Sequence, residues 1–341
     1  MGKHRNVLRQ VSRYGIVVFL VLLCVYFAWA TGGKFASPTN IANVSRQIAI
    51  NMILAVGLTF VIISGGIDLS VGSVLALAGV ISMSILRDGL KIDTTILGRH
   101  IEATLIPVLP ILIALPFSAI VGALVGGGLG TFSGAVITRF RVAPFVATLG
   151  MMTIARGLSF VYTDGVPISP LPTAVRKFGA GEHGIGAFAV PNLVVVALLV
   201  VLLGHIVITR TNFGRHVYAI GGNEEAARLS GISISSVKLK IYALCGALAG
   251  LSGMLLSTRL ASGDPKSGTM FELNAIAAVV LGGTSLSGGS GTVLGTLIGA
   301  LVIGVLDNGL ILLNVSAFYQ MVAKGFVILG AVILDQITRG K

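Results

Sequence analysis

Long apolar runs, most of them free of charge, follow one another from Gly15 to Ile337, and they constrain this chain more than any short motif does. A bilayer core about 30 Å thick is crossed by a helix of about 20 apolar residues. Inside it every backbone N–H and C=O must find a partner within the protein, which favours helices. The runs Gly15–Thr31, Ile48–Gly66, Leu69–Leu86, Ala143–Thr163, Asn192–Thr209, Ile241–Thr258 and Phe318–Ile337 each read as one span. The uncharged stretch from Thr104 to Thr138 is too long for one helix, so its span is placed at Thr104–Gly126, with a break predicted at the glycines 126–130. Leu273–Leu306 holds two more spans parted by the Gly/Ser segment 282–291, and the first of these is short enough to be a re-entrant half-helix. The expectation is an all-α, polytopic helical bundle of about ten transmembrane helices with glycine-broken segments.

Composition agrees. Of 341 residues 55% are hydrophobic and 11% charged, against about 25% charged in soluble domains. That excludes a soluble enzyme, a disordered regulator and a secreted disulfide scaffold. The net charge of +12 would suggest nucleic acid in a soluble protein, but here its placement matters more. With an even number of spans both termini share one side, which collects Lys3, Arg5, Arg9, Arg13, Arg139, Arg141, Arg210, Arg215, Arg228, Lys238, Lys240, Arg339 and Lys341. The opposite side has fewer basic residues, diluted by Asp88, Asp93, Glu102, Asp164, Glu182, Asp264 and Glu272. The positive-inside bias then places both termini in the cytoplasm of a bacterial inner-membrane, multi-pass protein, and nucleic acid is not an expected partner. Residues 1–14 form a basic cytoplasmic N-terminus, 15–337 a single transmembrane domain and 338–341 a cytoplasmic tail. Cys24 and Cys245 read as small buried hydrophobes, and the scattered histidines give no metal-ligand spacing.

The longest cytoplasmic connection is 210–240. Within it Asn223 is placed to cap a helix, Glu224 and Glu225 fall in the first turn where the helix dipole favours carboxylates, and Gly231 suits a left-handed C-terminal cap. A helix of about two turns is marginal alone in water, so it needs something to dock on. The two glutamates argue against an anionic membrane surface and for a partner protein.

The string Gly221-Gly222-Asn223-Glu224-Glu225-Ala226-Ala227-Arg228-Leu229-Ser230-Gly231-Ile232 resembles the coupling segment of the sugar permease subunits of bacterial ATP-binding-cassette importers. Three further segments are similar to the same family, and to its ribose permeases in particular: Gly65 to Ser73 (GGIDLSVGS), Phe145 to Gly150 (FVATLG) and Glu272 to Ser285 (ELNAIAAVVLGGTS). Val315 to Gln320 adds a shorter likeness, so the resemblance runs from about Ile41 to Asp335. Asn274 departs from the pattern, where an aspartate is expected. The resemblance implies two copies of this chain paired in the membrane, an ATPase subunit or fused ATPase pair below, and a periplasmic or extracellular sugar-binding protein above. It implies that Gly222 to Gly231 meet the ATPase. The chain has no GxxxxGK[ST] loop, so ATP-Mg belongs to the ATPase and this chain needs no cofactor and is not itself an enzyme.

Polar residues within the spans are costly and therefore candidate lining of a pathway. Asn51, Asp68, Ser70, Asn274, Asp307 and Asn308 are the candidates. Asp68 reads equally as an N-cap at a membrane edge, Asn51 and Asn274 as helix–helix hydrogen-bonding amides, and Asp307 and Asn308 as plain interface residues. Arg156 and Lys324 read as snorkelling cations or members of bundle-internal pairs. The pattern Gly65-Gly66-x-x-Leu69-Ser70-x-Gly72-Ser73 returns as Gly282-Gly283-x-x-Leu286-Ser287-x-Gly289-Ser290, and glycine-interrupted segments matched in two halves point to a transport site. On the outer side Arg87, Arg99, Arg259 and Lys266 are candidates for docking the binding protein, solvated loop charge being the other reading. The function these features fit is ATP-driven import of a monosaccharide, aldopentoses leading, by alternating access of a homodimer. An ion-coupled secondary transporter using Asp68 or Asp307 is the alternative; an intramembrane enzyme lacks convergent catalytic groups.

Overall fold

The computed structural model describes residues 2–96, 99–106, 110–185 and 188–339. In chain order these form α1 (Gly2–Ala30), α2 (Pro38–Ile63), α3 (Val71–Asp88), the antiparallel pair β1 (Leu90–Ile96) and β2 (Arg99–Ile106), α4 (Ile111–Arg139), α5 (Pro144–Thr163) and α6 (Thr173–Ala180). A second antiparallel pair, β3 (Glu182–Ile185) and β4 (Phe188–Pro191), precedes α7 (Asn192–Arg210), α8 (Asn212–Gly222), α9 (Glu224–Leu229), α10 (Ile234–Leu260), α11 (Phe271–Leu281), α12 (Val293–Leu312) and α13 (Ala317–Arg339). The expected runs correspond to α1 to α5, α7 and α10 to α13, and the fold is a polytopic helical one. Among the described residues seven helices are long and apolar enough to cross a membrane; the apolar stretch of α1 and the whole of α11 are shorter. The basic end segments 1–14 and 338–341 lie outside the residues whose side chains are described.

The chain divides into two compact units. The first comprises Met1–Ile67, Glu182–Lys238 and Leu273–Lys341. Its centre is α2, which starts at Pro38, a residue suited to the first helical position, behind Ser37, whose hydroxyl accepts from the Asn40 amide. Nearly the whole of α2 is buried from Ile48 to Ile63, against α7, α12 and α8. Thr59 and Thr296 share a buried hydroxyl–hydroxyl bond of 2.8 Å between α2 and α12. α11 and α12 approach so closely that a side chain at Gly282 would meet the Gly295 backbone, and one at Gly299 the Ala278 carbonyl.

The second unit comprises Asp68–Gly181 and Leu239–Glu272. Here the expected break in α4 does not occur: the helix runs unbroken through the glycines 126–130, and it begins at Ile111, Thr104 lying in β2. The reason is packing. Gly122, Gly126 and Gly130 recur every fourth residue; a Cβ on Gly126 or Gly130 would collide with the α10 backbone at Gly246 or Tyr242, and one on Gly250 of α10 with the Gly122 carbonyl. In lipid, where burying apolar surface brings helices together only weakly, such small-residue seams supply close backbone contact. The glycines that would break a helix in water therefore hold one against its neighbour here. Two other departures are local: the connections after α3 and α6 contain the hairpins β1–β2 and β3–β4, and the segment 210–240 opens with the unexpected helix α8.

Candidate coupling site and pathway residues

Helix α9 forms where the sequence places it. The Asn223 side chain accepts from the Ala226 amide at 2.9 Å, satisfying one of the donors orphaned at a helix start. At the other end Gly231 takes φ +83, its N–H donates to the Arg228 carbonyl at 3.0 Å and the Ile232 N–H to the Ala227 carbonyl at 3.1 Å. That paired closure is the usual glycine-dependent termination of a helix. Lys238 ties back to Glu224 at 2.6 Å, and Arg228 pairs with Glu225 one turn away. Only Ala227 is buried. Gly222, Asn223, Glu224, Glu225, Ala226, Arg228, Ser230 and Gly231 are exposed, and Leu229 is 81% exposed. A six-residue helix held by its caps, two ion pairs and one alanine thus presents the rest of its surface outward.

Helix α8 carries α9 and was not legible as a helix. Thr211 caps it, accepting from Gly214 N–H at 3.2 Å, and Gly214, Val217 and Ile220 form its buried face. Phe213 stacks on Phe60 of α2, ring centroids 6.1 Å apart. The Tyr218 hydroxyl donates to the Gly291 carbonyl at 2.7 Å, and partial burial pushes its phenol above the usual range. The threonine cap followed by apolar residues at positions 213, 217 and 220 was the signal available for this helix.

The candidate pathway residues are buried, and several already have partners within the chain. Asp68 is 1% exposed; one carboxylate oxygen accepts from the Ser70 amide at 2.9 Å and from its hydroxyl at 2.6 Å, and the Cys245 thiol lies beside the carboxylate. Ser70, not Asp68, is the residue preceding α3. Asp307 pairs with Lys324 of α13 at 3.0 Å, so Lys324 belongs to a bundle-internal pair. Asn308 and Asn40 exchange reciprocal amide bonds of 2.9 and 3.0 Å between α12 and the start of α2. Asn274 is buried in α11, and Asn51 is buried in α2 with its side-chain oxygen unpartnered among the described residues. Arg156 does something the sequence did not suggest: it donates to the Pro265 and Ser267 carbonyls at 2.6 and 2.8 Å, clamping the turn that carries Lys266.

Of the docking candidates, Lys266 is exposed at that turn, Arg259 lies in the last turn of α10, and Arg87 at the end of α3 is paired with Asp88 at 2.7 Å. The Arg99 side chain lies outside the described residues. A cleft of about 380 Å³ opens beside Arg87, lined also by Ser84, Tyr162, Asp164 and Ile168.

The repeated glycine pattern has a partly matched structure. In both copies a glycine with φ near +80, Gly65 (+80) and Gly283 (+83), stops a helix, α2 or α11, with the same paired carbonyl closure as α9. These two glycines are one residue out of step in the sequence repeat. Beyond them the copies diverge: Gly72 lies inside α3, where a Cβ would collide with Glu272 and the Gly268 carbonyl, whereas Gly289 sits in a loop with φ +74. Two of the resembling segments also touch, the Leu69 amide donating to the Thr148 hydroxyl at 3.2 Å.

Residues 40–332 match the family described as branched-chain amino acid transport system / permease component. The chain is 48% identical over 306 residues to the ribose import permease protein of Bacillus subtilis, covering 89% of this chain and 86% of that one. It is 42% identical over 322 residues to the ribose import permease protein of Escherichia coli K12, covering 94% and 92%. To the xylose transport system permease protein of the same organism it is 34% identical over 381 residues, covering 95% and 91%. No solved structure matches the chain. The resemblance read from the motifs between Ile41 and Asp335 is borne out, and the chain belongs to this family of transport-system permease components, a multi-pass protein of the bacterial inner membrane.

Proposed function

We propose that this chain is the membrane permease subunit of an ATP-binding-cassette importer for a monosaccharide, a ribose-like pentose being the favoured substrate, and that it works as a pair of identical subunits. The observation that carries the reading is α9: an outward-facing, doubly capped helix with an exposed Leu229 and a fixed Glu225–Arg228 pair, on a chain without a phosphate-binding loop of its own. The substrate follows the relatives, since similarity to ribose import permeases exceeds that to the xylose permease.

In this mechanism both termini and α9 face the cytoplasm. ATP closes the partner ATPase, the two α9 helices seated in its grooves draw together, and the cavity between the permeases exchanges its open side. Sugar delivered by the binding protein passes through without tight binding, polar groups such as Asn51, Asp68, Ser70, Asn274, Asp307 and Asn308 serving the pathway or its gates. The binding protein meets the outer side at Arg87, Arg99, Arg259 and Lys266.

The test is ATPase activity of the reconstituted complex with binding protein and ribose, comparing the unaltered chain with Glu225→Arg and Leu229→Asp. Loss of ribose-dependent stimulation with normal membrane insertion is the expected result. Full stimulation in both variants would remove α9 from the ATPase contact. Ribose uptake that proceeds without any ATPase would replace the importer with an ion-coupled transporter.

A further inference from the structure

Within the first unit, the base of α9 is locked to two other chain segments by contacts that only glycine permits. Gly221, the penultimate residue of α8, lies against the end of α2 so closely that a Cβ there would overlap the Ile63 carbonyl oxygen, and that Cβ would also come within 2.6 Å of the Gly289 nitrogen. The same Ile63 carbonyl accepts from the Gly289 N–H at 2.9 Å. A Cβ on Gly288 would lie 2.9 Å from the Gly221 oxygen and 3.0 Å from the Gly65 nitrogen. Tyr218, one turn back along α8, bonds to Gly291 of the same loop at 2.7 Å. Thus three backbones meet without intervening side chains: the end of α2, the end of α8, and the loop between α11 and α12. Asn223, the cap of α9, follows two residues after Gly221, and its N–H donates to the Ala219 carbonyl at 3.0 Å.

Backbone-to-backbone contact of this kind transmits displacement poorly through bending and well through rigid shift, because no rotamer can absorb the movement. Resting on the reading of α9 as the ATPase contact, we infer that this glycine junction is the element that passes movement of α9 to the end of α2 and to the loop joining α11 and α12, with Gly221 and Tyr218 as its positioning residues. The helices concerned suit that role. α2 is the buried axis of its unit, and α11 and α12 form a hairpin whose connecting loop supplies Gly288, Gly289 and Gly291. A push at α9 therefore arrives at α2 and at the α11–α12 hairpin at once. Any slack introduced at the junction separates hydrolysis from transport without touching the surface that meets the ATPase.

The experiment measures ATP hydrolysed per ribose imported in proteoliposomes carrying the full complex with binding protein, alongside co-purification of the ATPase subunit. Gly221→Ala inserts a methyl group into the junction; Tyr218→Phe removes only the oxygen bonded to Gly291. Gly325→Ala on α13, where an added Cβ meets nothing within 4 Å, serves as the control. The expected result is normal co-purification in all three and a rise of about fivefold or more in ATP per ribose for Gly221→Ala, the low end of ordinary coupling effects, with a smaller rise for Tyr218→Phe and none for Gly325→Ala. An unaltered ratio in Gly221→Ala, in a wild-type complex that does couple ATP to ribose, overturns the proposal while leaving the importer reading intact. If Gly221→Ala fails to assemble, Tyr218→Phe decides: a raised ratio supports the junction and an unaltered one overturns it. Ribose uptake by the wild type without ATP would instead overturn the importer reading on which the proposal rests.

Discussion

Asp307 and Lys324 put a carboxylate and an ammonium 3.0 Å apart between two membrane helices, the carboxylate buried and the ammonium partly exposed. Removing one partner strands the other in a poorly solvating site, whereas removing both strands neither. Lys324→Met and Asp307→Asn should therefore each lower the thermal stability of the detergent-solubilised protein, and the double variant should be more stable than the two losses added together predict. The coupling expected for a contacting pair is about 0.5–3 kcal/mol, toward the lower end because of the exposed ammonium. Strict additivity would show that the pair contributes nothing. Asn223 is a second single-residue test. Its cap bond to Ala226 serves a helix too short to stand alone, and Asn223→Ala should cost about 1 kcal/mol locally. Faster hydrogen exchange confined to the amides of 224–230 is the signature; unchanged exchange there would mean that docking of Ala227 alone holds the helix.

At the scale of elements, the glycine seam between α4 and α10 gives the sharpest contrast. Gly126→Ala places a methyl against the Gly246 carbonyl and should destabilise the fold by about 1–3 kcal/mol, as overpacking does. Gly128→Ala, two residues along the same helix with nothing within 4 Å of the new Cβ, should be neutral or raise stability by up to about 1 kcal/mol through helix propensity. Melting curves in detergent separate them, and equal effects would refute the seam. The same seam explains where sequence reading failed. Hydropathy and charge located the spans, and the caps of α9 were visible because Asn223, Glu224, Glu225 and Gly231 act locally. Whether Gly126 to Gly130 break a helix or pack one depends on what lies across from them, which is α10, more than a hundred residues away in the chain. α8 was hidden for a related reason. Its short apolar face makes sense only once α2 and Phe60 are there to receive it. Asp68 and Asp307 carried opposite readings as pathway or framework groups, and composition alone offers no means of seeing that one bonds to Ser70 and the other to Lys324.

At the scale of the whole molecule, the uneven spread of Lys and Arg predicts a single orientation, with Ser230 on the cytoplasmic side and Lys266 outside. In a chain freed of Cys24 and Cys245, a membrane-impermeant maleimide added to intact cells should label Lys266→Cys and spare Ser230→Cys, and inverted vesicles should reverse the result. Labelling of both from one side would rule out the assigned topology and with it the cytoplasmic position of α9. Exposed apolar side chains are unevenly spread within the first unit: α7 turns Leu198, Leu199, Leu202 and Leu203 outward, and only 22% of its most apolar stretch is buried. α2 is the opposite case, 89% of its corresponding stretch being enclosed by protein. The two helices thus meet different surroundings although both are apolar enough to cross a membrane. At the exposed positions of α7, any side chain that dissolves in lipid suffices, and Leu, Ile, Val and Phe are near synonyms. For α2, membrane insertion and folded fit are separate demands, and it is shape that selects: a methyl group added or lost at Ile53 or Leu58 leaves the chain as insertable as before yet changes how the interior closes around it. A hydropathy-preserving substitution is therefore silent on the exposed face of α7 and disruptive throughout the enclosed stretch of α2.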